Sequence, residues 1–163
     1  SNKIRLERIR SSMENNSKLS LSLSNCSIIE NKICSPGGWE INITLHCNLS
    51  CSLCSHFSPI SQTKFLDITE ILTDLQILSK YYKSSYIKLL GGEPLLHPKI
   101  DHIVSTIRES MLSDQIQICT NGLLLSKMSA SFWEQVDHIL ISSYPGKHLS
   151  KESLNNANFR LKN

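Results

Sequence analysis

Cys47, Cys51 and Cys54 place three thiols within eight residues, in the stretch LHCNLSCSLCSHFSP that runs from Leu45 to Pro59. Thiolates are soft ligands, and a C-x3-C-x2-C loop is short enough for its sulfurs to face one metal centre. Zinc would want a fourth ligand, and His46 or His56 stands near enough in sequence to supply it. A cubane iron-sulfur cluster on the same thiolates would keep one iron open for a small molecule. The spacing alone leaves both open. A second group lies in Gly91-Gly92-Glu93-Pro94, where glycines allow close backbone approach and a carboxylate can receive a cation or an ammonium. A zinc staple gives no reason for such a turn; an open coordination position does.

The elements that must position these groups follow from hydrophobic periodicity. WEINITL alternates with period two, so Trp39 to Leu45 reads as a strand that delivers Cys47 just beyond its carboxyl end. Ile68, Ile71, Leu72, Leu75 and Leu78 form the stripe of an amphipathic helix, which Asp67 and Glu70 open as a capping box. Tyr86–Leu90 is a second strand ended by GGEP, and Pro98 opens a helix with Ile100, Ile103, Val104, Ile107 and Met111 on one face. Gln115–Cys119 is a third strand ended by Thr120-Asn121-Gly122, Ser126–Val136 a third helix, and His138–Ser142 a fourth strand ended by SYPG. Strands alternating with helices predict an α/β chain with a parallel sheet, whose ligands bind beyond the carboxyl ends of the strands.

The bulk properties limit the alternatives. The 163 residues suit one domain, and a net charge of +3 is too small to argue for nucleic acid. No apolar run approaches the roughly 18 residues that cross a bilayer, and the N-terminus shows no signal-peptide hydrophobic region, so the chain reads as soluble and cytoplasmic. Six cysteines without a secretion signal suit a reducing compartment. The chain divides near Pro36: residues 1–35 are Ser- and Asn-rich, with a basic lead KIRLERIR and an alternating LSLSLS that suits either a strand or a linker. Residues 36–146 form the core and 147–163 a polar end. Cys119 reads as a small buried hydrophobe, His97 as a side chain that orients the following helix, and Trp39 and Trp133 as core.

CNLSCSLC, followed on the next strand end by GGEP and on the third by TNG, resembles the radical SAM superfamily, from about Trp39 to Gly146. The resemblance implies a partial (βα)6 barrel in which Cys47, Cys51 and Cys54 hold a 4Fe-4S cluster whose open iron is chelated by S-adenosylmethionine. It places Leu53 near the adenine, and Gly91, Gly92 and Glu93 at the methionyl ammonium. It sets Thr120 and Asn121 on the cavity wall, and Ser142 or Ser143 at the ribose or carboxylate. The implied activity is reductive cleavage of the cofactor to a 5′-deoxyadenosyl radical, which takes a hydrogen atom from a substrate, with no catalytic side chain required beyond the cluster. Electrons would come from a partner such as a flavodoxin or ferredoxin, and the expected substrate is a peptide, a carbohydrate or another small molecule.

The departures shape the remaining expectations. Four strands are evident where the family has six, so the chain is a compact form, a piece of a longer protein, or one completed by a dimer or partner. An activase that installs a glycyl radical on a partner enzyme is the alternative activity. A zinc- or cluster-binding module without catalysis is the alternative to an enzyme. Cys26 and Cys34 are too few to hold an auxiliary cluster.

Overall fold

The computed structural model describes residues 25–142, 149 and 154–155. The basic lead, the LSLSLS segment, Ser143 and most of the polar end lie outside the described residues. Five strands form one sheet in the order β1 (Ser27–Ile29), β2 (Lys32–Thr44), β3 (Tyr82–Gly91), β4 (Ser113–Thr120) and β5 (His138–Ile141). β1 pairs antiparallel to β2 through a tight turn at Glu30 and Asn31, and every other pairing is parallel. The helices α1 (Ile68–Leu78), α2 (Ile100–Ser110) and α3 (Ala130–Gln135) supply the crossovers. No helix among the described residues is long and apolar enough to cross a membrane.

β2 is longer than its alternation suggested. The Ser-Pro-Gly-Gly stretch, expected as a turn, runs inside the strand as a bulge with its register shift between Ser35 and Gly38. Pro36 is tolerated there because a bulge asks less of its missing N–H. The Ser85 hydroxyl donates to the Ser35 and Pro36 carbonyls at 3.3 and 2.9 Å. Gly38 leaves room for the Tyr86 ring, which a Cβ would meet at 1.9 Å. The expected helix from Ser126 to Val136 is also corrected. It divides into a 3-10 turn at Leu125–Lys127 and α3, because Ser129 stops the first and caps the second by accepting from the Phe132 N–H at 3.0 Å.

The core lies between the sheet and the helices. Ile87, Leu89, Ile116 and Ile118 from the central strands meet Ile71 and Leu75 of α1, Ile103, Val104 and Ile107 of α2, and Phe132 of α3. Each such side chain removed from water stabilises the fold by roughly 1.5–3 kcal/mol before entropy is counted. Helix entry is set locally: Asp67 accepts from the Thr69 N–H at 2.7 Å, which also holds its carboxyl below the ordinary value. At the opposite end of the sheet from the cysteines, Asp137 takes the Ile116 N–H at 2.7 Å and pairs with Arg108 at 2.6 Å, tying α2 to the start of β4.

The other face of the sheet carries polar groups. Register aligns Glu40 with Lys88, Lys88 with Gln117 and Gln117 with His138, one row across four strands. Glu40 and Lys88 form an ion pair at 2.7 Å.

Candidate functional site

Thr44, Gly91, Thr120 and Ile141 end the four parallel strands at one edge of the sheet, and the cysteine loop leaves from the first of them. The loop is pinned at its base. The Thr44 hydroxyl accepts from the His46 N–H at 3.1 Å and donates to the Lys64 carbonyl at 3.2 Å, and the Leu45 N–H donates to Lys64 at 3.0 Å. Phe57 takes a left-handed conformation at the entry to the short turn Ser58–Ile60.

The two glycines of β3 explain how the loop sits. A Cβ on Gly91, at φ +141°, would meet the Thr44 carbonyl oxygen at 2.2 Å, and one on Gly92 would meet the His46 carbonyl oxygen at the same distance. Without side chains in the way, the Gly92 N–H donates to Thr44 at 2.9 Å and the Glu93 N–H to His46 at 2.8 Å. The close approach expected of these glycines is therefore made to the base of the cysteine loop.

Glu93 has turned inward. Its carboxylate is fully buried and accepts from the Thr120 hydroxyl at 2.6 Å, the Asn121 N–H at 2.8 Å and the Leu95 N–H at 3.1 Å. Burial raises its pKa above the ordinary value, although these donors work the other way. Glu93 is not among the residues that line the adjacent cavity.

That cavity, of about 250 Å³, is lined by Cys47, Cys51, Cys54 and Leu53 from the loop, Gly91 and Gly92 from β3, Cys119, Thr120 and Asn121 from β4, and Ser142 after β5. The sequence-expected groups are thus brought to one place, except Glu93, which stands behind the wall, and Ser143, which is outside the described residues. Leu53 is 97% exposed at the rim. Ser142 is held by its N–H on the Thr120 carbonyl at 2.8 Å. Cys119, expected as a buried hydrophobe, is only half-buried and faces the Ser142 hydroxyl at 3.7 Å. His56 lines the cavity, while His97 stays in the core. The Lys99 N–H donates to His97 Nδ1 at 3.1 Å, so Nε2 carries the proton and donates to the Leu66 carbonyl at 3.0 Å.

The thiols are not equivalent. Burial pushes the Cys47 thiol up, against the opposing Leu49 N–H. Burial acts the same way on Cys54 but loses to the N–H groups of Ser58, His56 and Phe57 and to the Ser58 hydroxyl, which leave that thiol below its ordinary value. Among the described residues no three His, Cys, Asp or Glu side chains gather tightly enough to hold a single ion. Asn48 is a site residue that the spacing did not announce: its Oδ1 accepts from Asn121 Nδ2 at 2.7 Å, across 73 residues of sequence.

Thiols grouped at the carboxyl edge of a parallel α/β sheet, beside a glycine-lined strand end, occupy the place where folds of this class bind their ligands. The chain belongs to the radical SAM superfamily, whose family profile matches residues 41–156. Members of that superfamily use a 4Fe-4S cluster and S-adenosylmethionine. The GTP 3′,8-cyclase of Chlorobaculum tepidum is 32% identical over 120 residues, which is 74% of this chain and 34% of that protein. The probable GTP 3′,8-cyclase of Methanococcus aeolicus is 36% identical over 92 residues, 54% of this chain and 30% of that protein. The chain therefore spans about a third of the length of these curated relatives. The crystal structure of BtrN in complex with AdoMet and 2-DOIA shares the fold, with a TM-score of 0.56, 22% identity, and coverage of 73% of this chain and 54% of that one.

Proposed function

We propose that this chain carries the cofactor-binding part of a radical SAM enzyme, with Cys47, Cys51 and Cys54 as the cluster ligands. The observation that carries the reading is that the three thiols open onto one cavity with the ends of β3 and β4. The donor set fits a cubane better than a single zinc. Zinc needs its donors converged on one point, whereas a cubane seats each thiolate on its own iron and takes sulfurs spread around a cavity. When bound, the cluster and S-adenosylmethionine supply one-electron cleavage of the sulfonium to a 5′-deoxyadenosyl radical that takes a hydrogen atom from the substrate.

The chain's own residues bind, orient and shield. Gly91 and Gly92 keep the cavity wall free of side chains, so backbone groups can meet the methionyl ammonium. Thr120, Asn121 and Ser142 offer polar contacts at the next two strand ends, and Leu53 covers the adenine by packing. Glu93 serves from behind, by fixing the β3 and β4 ends to each other. The row Glu40, Lys88, Gln117 and His138 supports a polar substrate on the open face. The relatives' names make GTP the first candidate to assay, ahead of a peptide or carbohydrate. An electron-donor protein such as a flavodoxin or ferredoxin, and further polypeptide that completes the barrel, are the partners this reading requires.

Anaerobic reconstitution with iron and sulfide tests it. The expected product is a brown protein with four irons per chain, the number set by a cubane, that releases 5′-deoxyadenosine when reduced with S-adenosylmethionine. A colourless chain that instead retains one zinc would sink the reading.

A further inference from the structure

Asn121 is the residue through which the β4 end reaches the cysteine loop. Its backbone N–H donates to the buried Glu93 carboxylate at 2.8 Å, and its Oδ1 accepts from the Leu123 N–H at 3.0 Å. Its Nδ2 donates to Asn48 Oδ1 at 2.7 Å and points to Cys47 Sγ at 3.9 Å. The amide can be oriented in one way only. A flip would set the NH2 against the Leu123 N–H and the oxygen against both the Asn48 oxygen and the Cys47 sulfur. The backbone is equally fixed, since Glu93 is fully buried and also holds Thr120 and Leu95.

We propose that Asn121 is a positioning residue that sets the reduction potential of the cluster, by holding an amide N–H on the Cys47 sulfur. The proposal rests on the assignment of Cys47 as a cluster ligand. A donor aimed at a thiolate sulfur draws off negative charge and favours the reduced cluster, which raises the potential. Nδ2 lies much nearer Asn48 Oδ1 than Cys47 Sγ, so the Asn48 oxygen competes with the sulfur for the amide donor. Glu93 completes the device by keeping the Asn121 backbone at the required height above the loop.

The test is an EPR-monitored potentiometric titration of the reconstituted full chain, with iron counted for each variant. Asn121→Ala removes the donor without adding charge, and Asn121→Asp keeps the acceptor for Leu123 while losing the donor. Both are expected to take up iron as the parent does and to show a lower midpoint potential. Asn48→Ala frees the amide for the sulfur and is expected to hold or raise the potential. A merely structural role would move all three variants in one direction or cut their iron content. Midpoints equal to the parent's in the Asn121 variants overturn the proposal, as does a fall in Asn48→Ala that matches theirs. If Asn121→Ala fails to fold, the near-isosteric and uncharged Asn121→Leu decides, because the charge of Asn121→Asp lowers the potential by itself. A parent chain that takes up no iron overturns the cluster assignment itself, a different and recognisable outcome.

Discussion

The Thr120 hydroxyl donates to Glu93 Oε1 at 2.6 Å, joining the ends of two adjacent parallel strands through a carboxylate that has no exposure to solvent. The same carboxylate takes the Asn121 N–H, so Glu93 holds two residues of the cavity wall from behind.

Glu93→Ala is expected to cost about 2–4 kcal/mol, because it leaves the Thr120 hydroxyl and the Asn121 N–H without their acceptor in a buried place. Urea unfolding measures this. Glu93→Gln keeps the shape and one acceptor oxygen, so its cost is expected to be smaller.

The pH dependence of stability carries a sign. Burial holds the Glu93 carboxyl above its ordinary, unfolded value, so the folded chain binds the proton more tightly. Its contribution is fully present below the unfolded pKa and is lost as pH rises through the folded one. Urea midpoints collected upward from acid pH are expected to fall across that window in the parent relative to Glu93→Gln. Parallel curves for the two proteins would refute the assignment.

Gly92→Ala places a Cβ at 2.2 Å from the His46 carbonyl oxygen and 2.8 Å from the Ser58 hydroxyl. The β3 end and the cysteine loop then have to separate, at a cost of roughly 1–3 kcal/mol. The expected readouts are a lower melting temperature and reduced iron uptake together. Full uptake at unchanged stability would show that the loop tolerates the displacement.

The proposed ligand set separates Cys47, Cys51 and Cys54 from their neighbour Cys119. Cys51→Ala is expected to abolish cluster formation, measured as iron and sulfide content, whereas Cys119→Ala is expected to retain it. Loss of iron in Cys119→Ala would mean that the ligand set has been drawn wrongly.

Ile107→Ala in α2 probes the layer beneath the site. Ile107 is fully buried in the core, so truncation is expected to cost about 2–5 kcal/mol in unfolding experiments.

What the sequence determined by itself was local. The Ile68–Leu78 stripe and its Asp67 cap are fixed by contacts within a few residues, so period and cap chemistry are enough to find them. The strand that carries Cys47 and the order of the strand-end motifs were legible for the same reason, and with them the α/β class and the superfamily. The bulge at Ser35–Gly38 escaped because Pro and Gly also mark turns. Only the partner strand, with Tyr86 over Gly38 and Ser85 on the carbonyls, keeps that stretch extended.

The tertiary structure alone decided which way Glu93 faces, that Cys119 opens onto the cavity, and that Asn48 meets Asn121. Glu93 and Thr120 are 27 residues apart and Asn48 and Asn121 are 73 apart. Contacts of that range depend on strand order and register, which bring distant strand ends side by side. The spacing of motifs along the chain carries no record of how those ends are juxtaposed.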